Sequence, residues 1–118
     1  MFDFDAAHWL PHVPEGHKCG RMHGHTYRVE LILSGEVDPA RGWFVDYADI
    51  ADAWAAVDGI LDHRCLNHVE GLENPTTENL APWILRQLAQ SLPHLCRVKV
   101  YESATTWCEV TRTEALRP

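Results

Sequence analysis

The sequence carries little positive charge. Only 10 of its 118 residues are lysine or arginine, against 17 aspartates and glutamates, and the formal net charge at pH 7 is -7. Lysine occurs only at Lys18 and Lys99. A nucleic-acid-binding surface needs clustered positive charge to release counterions, so we expect no nucleic-acid partner. An anionic substrate would require a local positive pocket within this acidic chain.

Long apolar segments and paired cysteines are also absent. Without a run of about 18 apolar residues we expect no membrane span. The opening MFDFDAAHWL has no basic stretch followed by an apolar one, so we expect no secretory signal. The four cysteines form no C-x-x-C pair, and the 46% hydrophobic content makes a disulfide framework unnecessary. We therefore expect free thiols at positions 19, 65, 96 and 108 of a cytoplasmic protein.

Local periodicity predicts a single α+β domain over residues 1–118, because no repeat or linker divides the chain. Asp46 and Thr76 are expected to cap two helices, with Asp62 to Pro75 irregular between them. The order ββ(β)ααββ predicts an antiparallel sheet with two helices on one face. Alternating or β-branched runs predict strands over 2–6, 26–33, 97–102 and 106–110, with further extended structure at 43–45.

Three histidines and a cysteine lie within a span of 18 residues. His23-Gly24-His25 opens a predicted strand, so both imidazoles leave the same face of it. If the preceding strand pairs antiparallel with this one, His8 lies beside them. Three neutral imidazoles are the ligand set of a catalytic zinc with an open fourth position. No carboxylate ligand is apparent in the sequence, and iron or another divalent ion is an alternative.

Cys19 lies between Lys18 and Arg21 in a loop rich in glycine and proline. Nearby positive charge lowers the pKa of a thiol and favours the thiolate. Such a thiolate has two roles open to it: the fourth ligand of a structural zinc, or the general base of an enzyme. The thiol can also be simply a small buried apolar group.

Two further acidic positions are candidates for chemistry. Asp62-His63 is an adjacent acid–imidazole pair, which could relay a proton if it meets Cys19 in space. Glu102 ends a predicted strand. It is either a solvent-facing carboxylate or the acceptor of two parallel hydrogen bonds from the edge of an amidine-like ring.

Taken in order, these motifs resemble the 6-pyruvoyl-tetrahydropterin synthase family nearly from end to end. The gap of three residues in Cys19-x-x-x-His23-Gly24-His25 is similar to that of the bacterial 6-carboxy-tetrahydropterin synthase branch, which acts in the queuosine pathway. The other matching motifs are Phe4-x-Ala6-Ala7-His8, Leu61-Asp62-His63-x-x-Leu66-Asn67, Asn74-Pro75-Thr76-x-Glu78-Asn79 and Glu102.

The resemblance implies the tunnelling fold (T-fold), in which the sheets of three subunits close into a β-barrel and two trimers stack as a homohexamer. Active sites then lie between subunits. It also implies one Zn²⁺ per subunit held by His8, His23 and His25. The remaining implied roles are Cys19 as base, Asp62 and His63 as proton relay, and Glu102 as anchor of the pterin ring.

The implied reaction converts 7,8-dihydroneopterin triphosphate to 6-carboxy-5,6,7,8-tetrahydropterin, releasing acetaldehyde and triphosphate. We hypothesise that Lys18 and Arg21 supply the positive field that receives the triphosphate. Two alternatives stay open. One is a 6-pyruvoyl-tetrahydropterin synthase or related pterin side-chain lyase using the same groups. The other is a non-catalytic zinc protein with one cysteine and three histidine ligands.

Overall fold

The computed structural model describes all 118 residues and contains one five-stranded sheet. The strands and helices are Phe2–His8 (β1), His23–Leu33 (β2), Tyr47–Leu61 (α1), Arg64–Cys65 (β3), Thr77–Leu88 (α2), Leu95–Tyr101 (β4), Trp107–Thr111 (β5) and Arg112–Ala115 (α3). Their order across the sheet is β3-β1-β2-β4-β5. No helix is both long enough and apolar enough to cross a membrane.

The sheet is mixed, whereas a wholly antiparallel one was expected. The β1–β2, β2–β4 and β4–β5 pairs are antiparallel, as predicted. The short β3 instead runs parallel to β1, with Ala6 opposite Arg64 and Ala7 opposite Cys65. Helix α1 separates β2 from β3, and a crossover of this kind is what a parallel pairing requires. The predicted irregular segment after α1 therefore contributes an edge strand.

The extended segment predicted at 43–45 does not join the sheet. These residues belong to the connection between β2 and α1, where the Phe44 ring stands at 90° to the ring of His94 with 5.3 Å between centroids. The apolar residues of this segment pack locally instead of pairing. Helix α3, a single helical turn after β5, was not predicted from the sequence.

Both predicted helix caps are confirmed. The Asp46 side chain accepts a hydrogen bond from the Ala48 amide, and that of Thr76 accepts one from the Asn79 amide. Each satisfies an amide that has no partner inside its helix.

The core lies on one face of the sheet, as alternation along the strands predicts. Phe4, Tyr27, Val29, Val98 and Val100 are almost fully buried beneath the two long helices. The residues between them, including Asp3, Thr26 and Arg28, are exposed on the opposite face. Both long helices thus cover the same side, and the other side carries charge.

Candidate metal centre and active site

The pairing of β1 with β2 brings three imidazoles together. His8 is directly opposite His23, and Ala6 is opposite His25. The ring centroids are separated by 4.6 Å for His8 and His23, 5.1 Å for His8 and His25, and 4.9 Å for His23 and His25. The predicted meeting of these side chains on one face is confirmed, and that face is the one covered by the helices.

Main-chain carbonyls determine which ring nitrogens are free. Nδ1 of His8 is 2.9 Å from the Pro75 oxygen, and Nδ1 of His23 is 2.7 Å from the Arg21 oxygen. Because a carbonyl only accepts, both Nδ1 atoms carry the proton. The two Nε2 lone pairs then face each other at 3.0 Å. Two acceptors at that distance repel unless a cation or a proton lies between them.

Glu102 supplies a carboxylate that the sequence did not indicate at this cluster. Its Oε1 is 3.1 Å from Nε2 of His25 and 3.4 Å from Nε2 of His8. Tyr101 pairs with Arg28 on the charged face, so the next residue turns towards the histidines. Pairing between distant strands creates this proximity, which no local spacing reveals. The four ligand atoms, from His8, His23, His25 and Glu102, lie within 4.8 Å of one another.

The charge states of the cluster suit a divalent cation. Burial lowers the pKa of His8 and of His25, with the Glu102 carboxylate opposing the shift in both. Neutral imidazoles are the form that binds metals. His25 Nε2 is buried, and its 3.1 Å contact with Glu102 Oε1 does not have the geometry of a hydrogen bond, so this nitrogen has no hydrogen-bond partner. Three imidazole nitrogens and one carboxylate oxygen fit zinc and comparable divalent ions.

The loop that joins β1 to β2, and so leaves and re-enters the sheet next to the histidines, carries Cys19. The Leu10 amide donates to the Cys19 carbonyl at 2.8 Å, and the Cys19 amide donates to Nδ1 of His17 at 3.0 Å. The thiol is partly buried and is not one of the four clustered ligand atoms. Lys18 and Arg21, in the same loop, are exposed and form no salt bridge, so an anion could reach both.

Asp62 and His63 lie at the outer edge of β1. Asp62 Oδ1 accepts from the Asp5 amide at 2.9 Å, and the His63 amide donates to the Asp5 carbonyl. Asp62 Oδ2 is 2.7 Å from Nδ1 of His63. This carboxylate raises the pKa of His63, while the Asp5 amide is the main cause of the lowered pKa of Asp62. The pair forms no hydrogen bond with Cys19 of the same chain.

His63 also has an unusual backbone. Its φ is 57°, and it is the only residue other than glycine with a positive value. Such a conformation costs free energy and often occurs at functional sites. Here it turns the chain from the end of α1 into β3, with the imidazole exposed.

A sequence model of the family described as 6-pyruvoyl tetrahydropterin synthase matches residues 1–113. The chain belongs to this family. A 6-carboxy-5,6,7,8-tetrahydropterin synthase from Synechocystis is 38% identical to it over 89% of this chain and 84% of the relative. A dihydroneopterin monophosphate aldolase from Pyrococcus furiosus is 36% identical over 81% and 77%.

A solved structure of 6-pyruvoyl tetrahydropterin synthase from Caenorhabditis elegans has the same fold. The TM-score is 0.86 at 28% identity, covering 93% of this chain and 90% of that one. The T-fold expected from the sequence is thus confirmed for the single chain.

Three residues that were not predicted as site residues from the sequence support the site in the structure. The Pro75 carbonyl holds His8, and the Tyr27 hydroxyl approaches the same Nδ1 at 3.2 Å. Burial raises the pKa of Tyr27, with Glu102 adding to the shift, so this phenol stays neutral. Asn67 binds the main chain of Trp9. Pro75 and Asn67 lie within the motifs above, and Tyr27 continues the alternation of His23 and His25.

Proposed function

We propose that this protein is a zinc-dependent carbon–carbon lyase. It converts 7,8-dihydroneopterin triphosphate and one water to 6-carboxy-5,6,7,8-tetrahydropterin, acetaldehyde and triphosphate, a step of queuosine and other 7-deazaguanine biosynthesis in the cytoplasm. The observation that carries the proposal is the cluster of three imidazoles on the strands that flank the Cys19 loop, with His8 buried. The identity to the Synechocystis 6-carboxy-5,6,7,8-tetrahydropterin synthase supports this product.

His8, His23 and His25 would hold the zinc through their Nε2 atoms. When bound, zinc acts as a Lewis acid that makes the C–H bonds next to coordinated hydroxyls more acidic. The Pro75 and Arg21 carbonyls keep each Nδ1 protonated and thereby orient two of the rings. Burial against the helices keeps His8 neutral and excludes water from one side of the site.

Proton transfer is the task of the thiol and the acid–imidazole pair. We assign to the Cys19 thiolate the removal of a side-chain proton from the substrate, and to His63 the return of a proton to the intermediate. Asp62 orients the His63 ring and raises its basicity through their 2.7 Å contact. Glu102 would accept hydrogen bonds from the amino group and ring N–H of the pterin, turning from the histidines when the ring enters.

The site would be completed by a second copy of the chain. Asp62 and His63 stand at the edge of the sheet, bound to Asp5 and not to Cys19. β3 pairs only with Ala6 and Ala7, Phe2 to Phe4 have no strand on that side, and no strand lies beside the outer edge of β5. Unpaired edges of this kind are removed when sheets join into a barrel. We propose a homotrimer, or a dimer of trimers, in which His63 faces Cys19 of a neighbouring copy.

The deciding experiment is incubation of the zinc-loaded protein with 7,8-dihydroneopterin triphosphate and mass identification of every product. We expect 6-carboxy-5,6,7,8-tetrahydropterin, acetaldehyde and triphosphate in equal amounts. Formation of 6-pyruvoyl-tetrahydropterin would instead establish the activity for which the Caenorhabditis elegans relative is named. No turnover with a fully loaded protein would contradict both.

A monophosphate substrate is the second candidate, because the Pyrococcus furiosus relative is named for dihydroneopterin monophosphate. Parallel assays with the two phosphate esters separate the candidates. Lys18→Ala tests the proposed triphosphate contact: KM for the triphosphate should rise about tenfold, with a smaller rise for a dephosphorylated analogue. Equal changes for the two compounds would exclude a role of Lys18 in phosphate binding.

A further inference from the structure

Asn67 is one of only two polar residues that are buried in the whole chain, with 9% of its surface exposed. Its side-chain amide makes two short hydrogen bonds to the main chain of Trp9, and Oδ1 also accepts a long one from the Cys65 thiol at 3.9 Å. The Trp9 amide donates to Oδ1 at 3.0 Å, and Nδ2 donates to the Trp9 carbonyl at 2.8 Å. Each polar atom of the amide group is therefore satisfied by one residue.

This pair of bonds extends the sheet beyond its last strand residues. In the parallel β1–β3 ladder Ala7 lies opposite Cys65, so Trp9 lies opposite Asn67 two residues later. The chain at Leu66–His68 has already turned into a 3₁₀ helix and offers no strand backbone there. The Asn67 amide has the same donor and acceptor as a peptide group. It takes the place of one more strand residue.

Trp9 connects the histidine cluster to the thiol loop. It follows His8 directly and precedes Leu10, whose amide donates to the Cys19 carbonyl at 2.8 Å. Fixing the Trp9 peptide groups therefore fixes the point at which the loop leaves the sheet. Asn67, which forms this clamp on Trp9, also lies only four residues after His63 in the chain.

We propose that Asn67 is a positioning residue that sets the distance of the Cys19 thiol from the histidine cluster. The inference rests on the proposed function insofar as Cys19 is the base, but its geometric part is independent of turnover. Only a primary amide offers both bonds at this site. Aspartate retains the acceptor for the Trp9 amide but places a second acceptor against the Trp9 carbonyl.

The kinetic test compares Asn67→Asp and Asn67→Ser with Val110→Ala. Val110 is a core residue of β5 outside the site, so its truncation reports the effect of lost stability alone. A misplaced base lowers kcat without weakening substrate binding, and we expect kcat to fall about 100-fold with KM changed less than about threefold. Metal content should stay at one ion per chain because the β1–β2 ladder still carries the histidines.

A second measurement needs no substrate. In Asn67→Asp the Leu10 amide should exchange hydrogen at least about tenfold faster than in the wild type, while the amides of Val98 and Val100 keep their rates. Alkylation of Cys19, followed on its own peptide by mass spectrometry, should accelerate in parallel. Val110→Ala should change neither relative to the rest of the chain.

Unchanged exchange at Leu10 and unchanged alkylation of Cys19 would overturn the proposal, as would equal losses of kcat in Asn67→Ser and Val110→Ala. Faster exchange in a protein whose wild type has no pterin activity would support the clamp and contradict the proposed function. Should Asn67→Asp fail to fold, Asn67→Ser, which keeps one hydroxyl at the site, provides the same comparisons.

Discussion

The main chain decides which nitrogen of His8 and of His23 is free. Each Nδ1–H points at a carbonyl oxygen, so each Nε2 presents its lone pair to the cluster. Glu102 brings a fourth candidate ligand atom to the cluster, and Cys19 is not among the four. Of the two roles that the sequence left open for this thiol, the arrangement supports the general base that we propose.

Cys19→Ala distinguishes a base from a ligand. We expect the variant to fold, to retain one zinc per chain, and to lose activity at least about 100-fold because no group replaces the base. Metal analysis, thermal unfolding and the product assay measure the three properties. A variant that loses its zinc or unfolds would indicate the structural site with one cysteine and three histidines. His25→Ala, which removes a ligand, is the matched control and should lose the metal.

Asp62→Asn should lower the pKa of His63 towards that of a free imidazole. The Asp62 carboxylate is the largest cause of the raised value. An NMR titration of the His63 ring protons measures the change, with Asp52→Asn on α1 as control. The raised pKa of His63 stabilises the folded state below about pH 6.5. This stabilisation disappears as the pH rises through the pKa of His63 in the folded state. An unchanged titration would show that the pair is not formed in solution.

Among the elements, α3 contributes an arginine that contacts the end of α2. Its first residue, Arg112, donates to the carbonyls of Ala89, Leu92 and Leu95 at 3.1, 3.3 and 3.0 Å. Ala89 is the C-cap residue of α2, Leu92 lies in the turn that follows, and Leu95 begins β4. The guanidinium therefore links the end of α2 to the start of β4.

Arg112→Met should destabilise the protein by about 2 kcal/mol, since three hydrogen bonds from a charged donor to main-chain carbonyls are lost. Urea unfolding measures this difference. Arg97→Met, at an exposed position of β4, removes the same charge without such contacts and should cost less than about 0.5 kcal/mol. Equal effects of the two substitutions would mean that the change in net charge, and not the loss of these hydrogen bonds, lowers the stability.

Local patterns were enough to predict the strands β1 and β2 and the meeting of the three histidines that they carry. The i, i+2 spacing of His23 and His25 and the short loop back to His8 depend only on neighbouring residues. The position of Glu102 depends on the β2–β4 register, and the place of Asp62 depends on a parallel pairing after a helix. Such distant pairings have no periodic signature along the chain.

Short elements were missed for a different reason. β3 has two residues and α3 has four, and neither is long enough to show a period. The capping box of Thr111 and Glu114 was the available signal for α3. The positive φ of His63 left no trace in the sequence, because histidine at such a position reflects the surrounding contacts and not its own preference.

The whole molecule presents two incomplete features that a second copy would complete. No strand lies beside the outer edge of β5, and the charged face of the sheet leaves 53% of Trp107 exposed beside Lys99. The proposed barrel of several sheets would cover both. The helices, by contrast, already cover the histidine face within one chain.

Mixing two inactive variants tests whether sites are shared. Cys19→Ala and His63→Ala are coexpressed with different affinity tags, and mixed oligomers are purified through both tags. If each site takes the thiol from one copy and the imidazole from another, about one site in three is intact in a mixed trimer and about one in four in a mixed dimer of trimers, and activity returns to that extent. Each variant expressed alone is the control. Mixed oligomers without activity would mean that both groups act within one chain.

The histidine cluster does not exist in the unfolded chain, because His8 and His23 meet only through the β1–β2 register. A cation bound there recognises the folded state alone, and its free concentration enters the folding equilibrium by mass action. A concentration 100-fold above Kd adds about 2.7 kcal/mol to the free energy of unfolding. The midpoint temperature of thermal unfolding would therefore rise with the concentration of free metal in the buffer. Chelation alone should lower it, with every covalent bond of the chain intact.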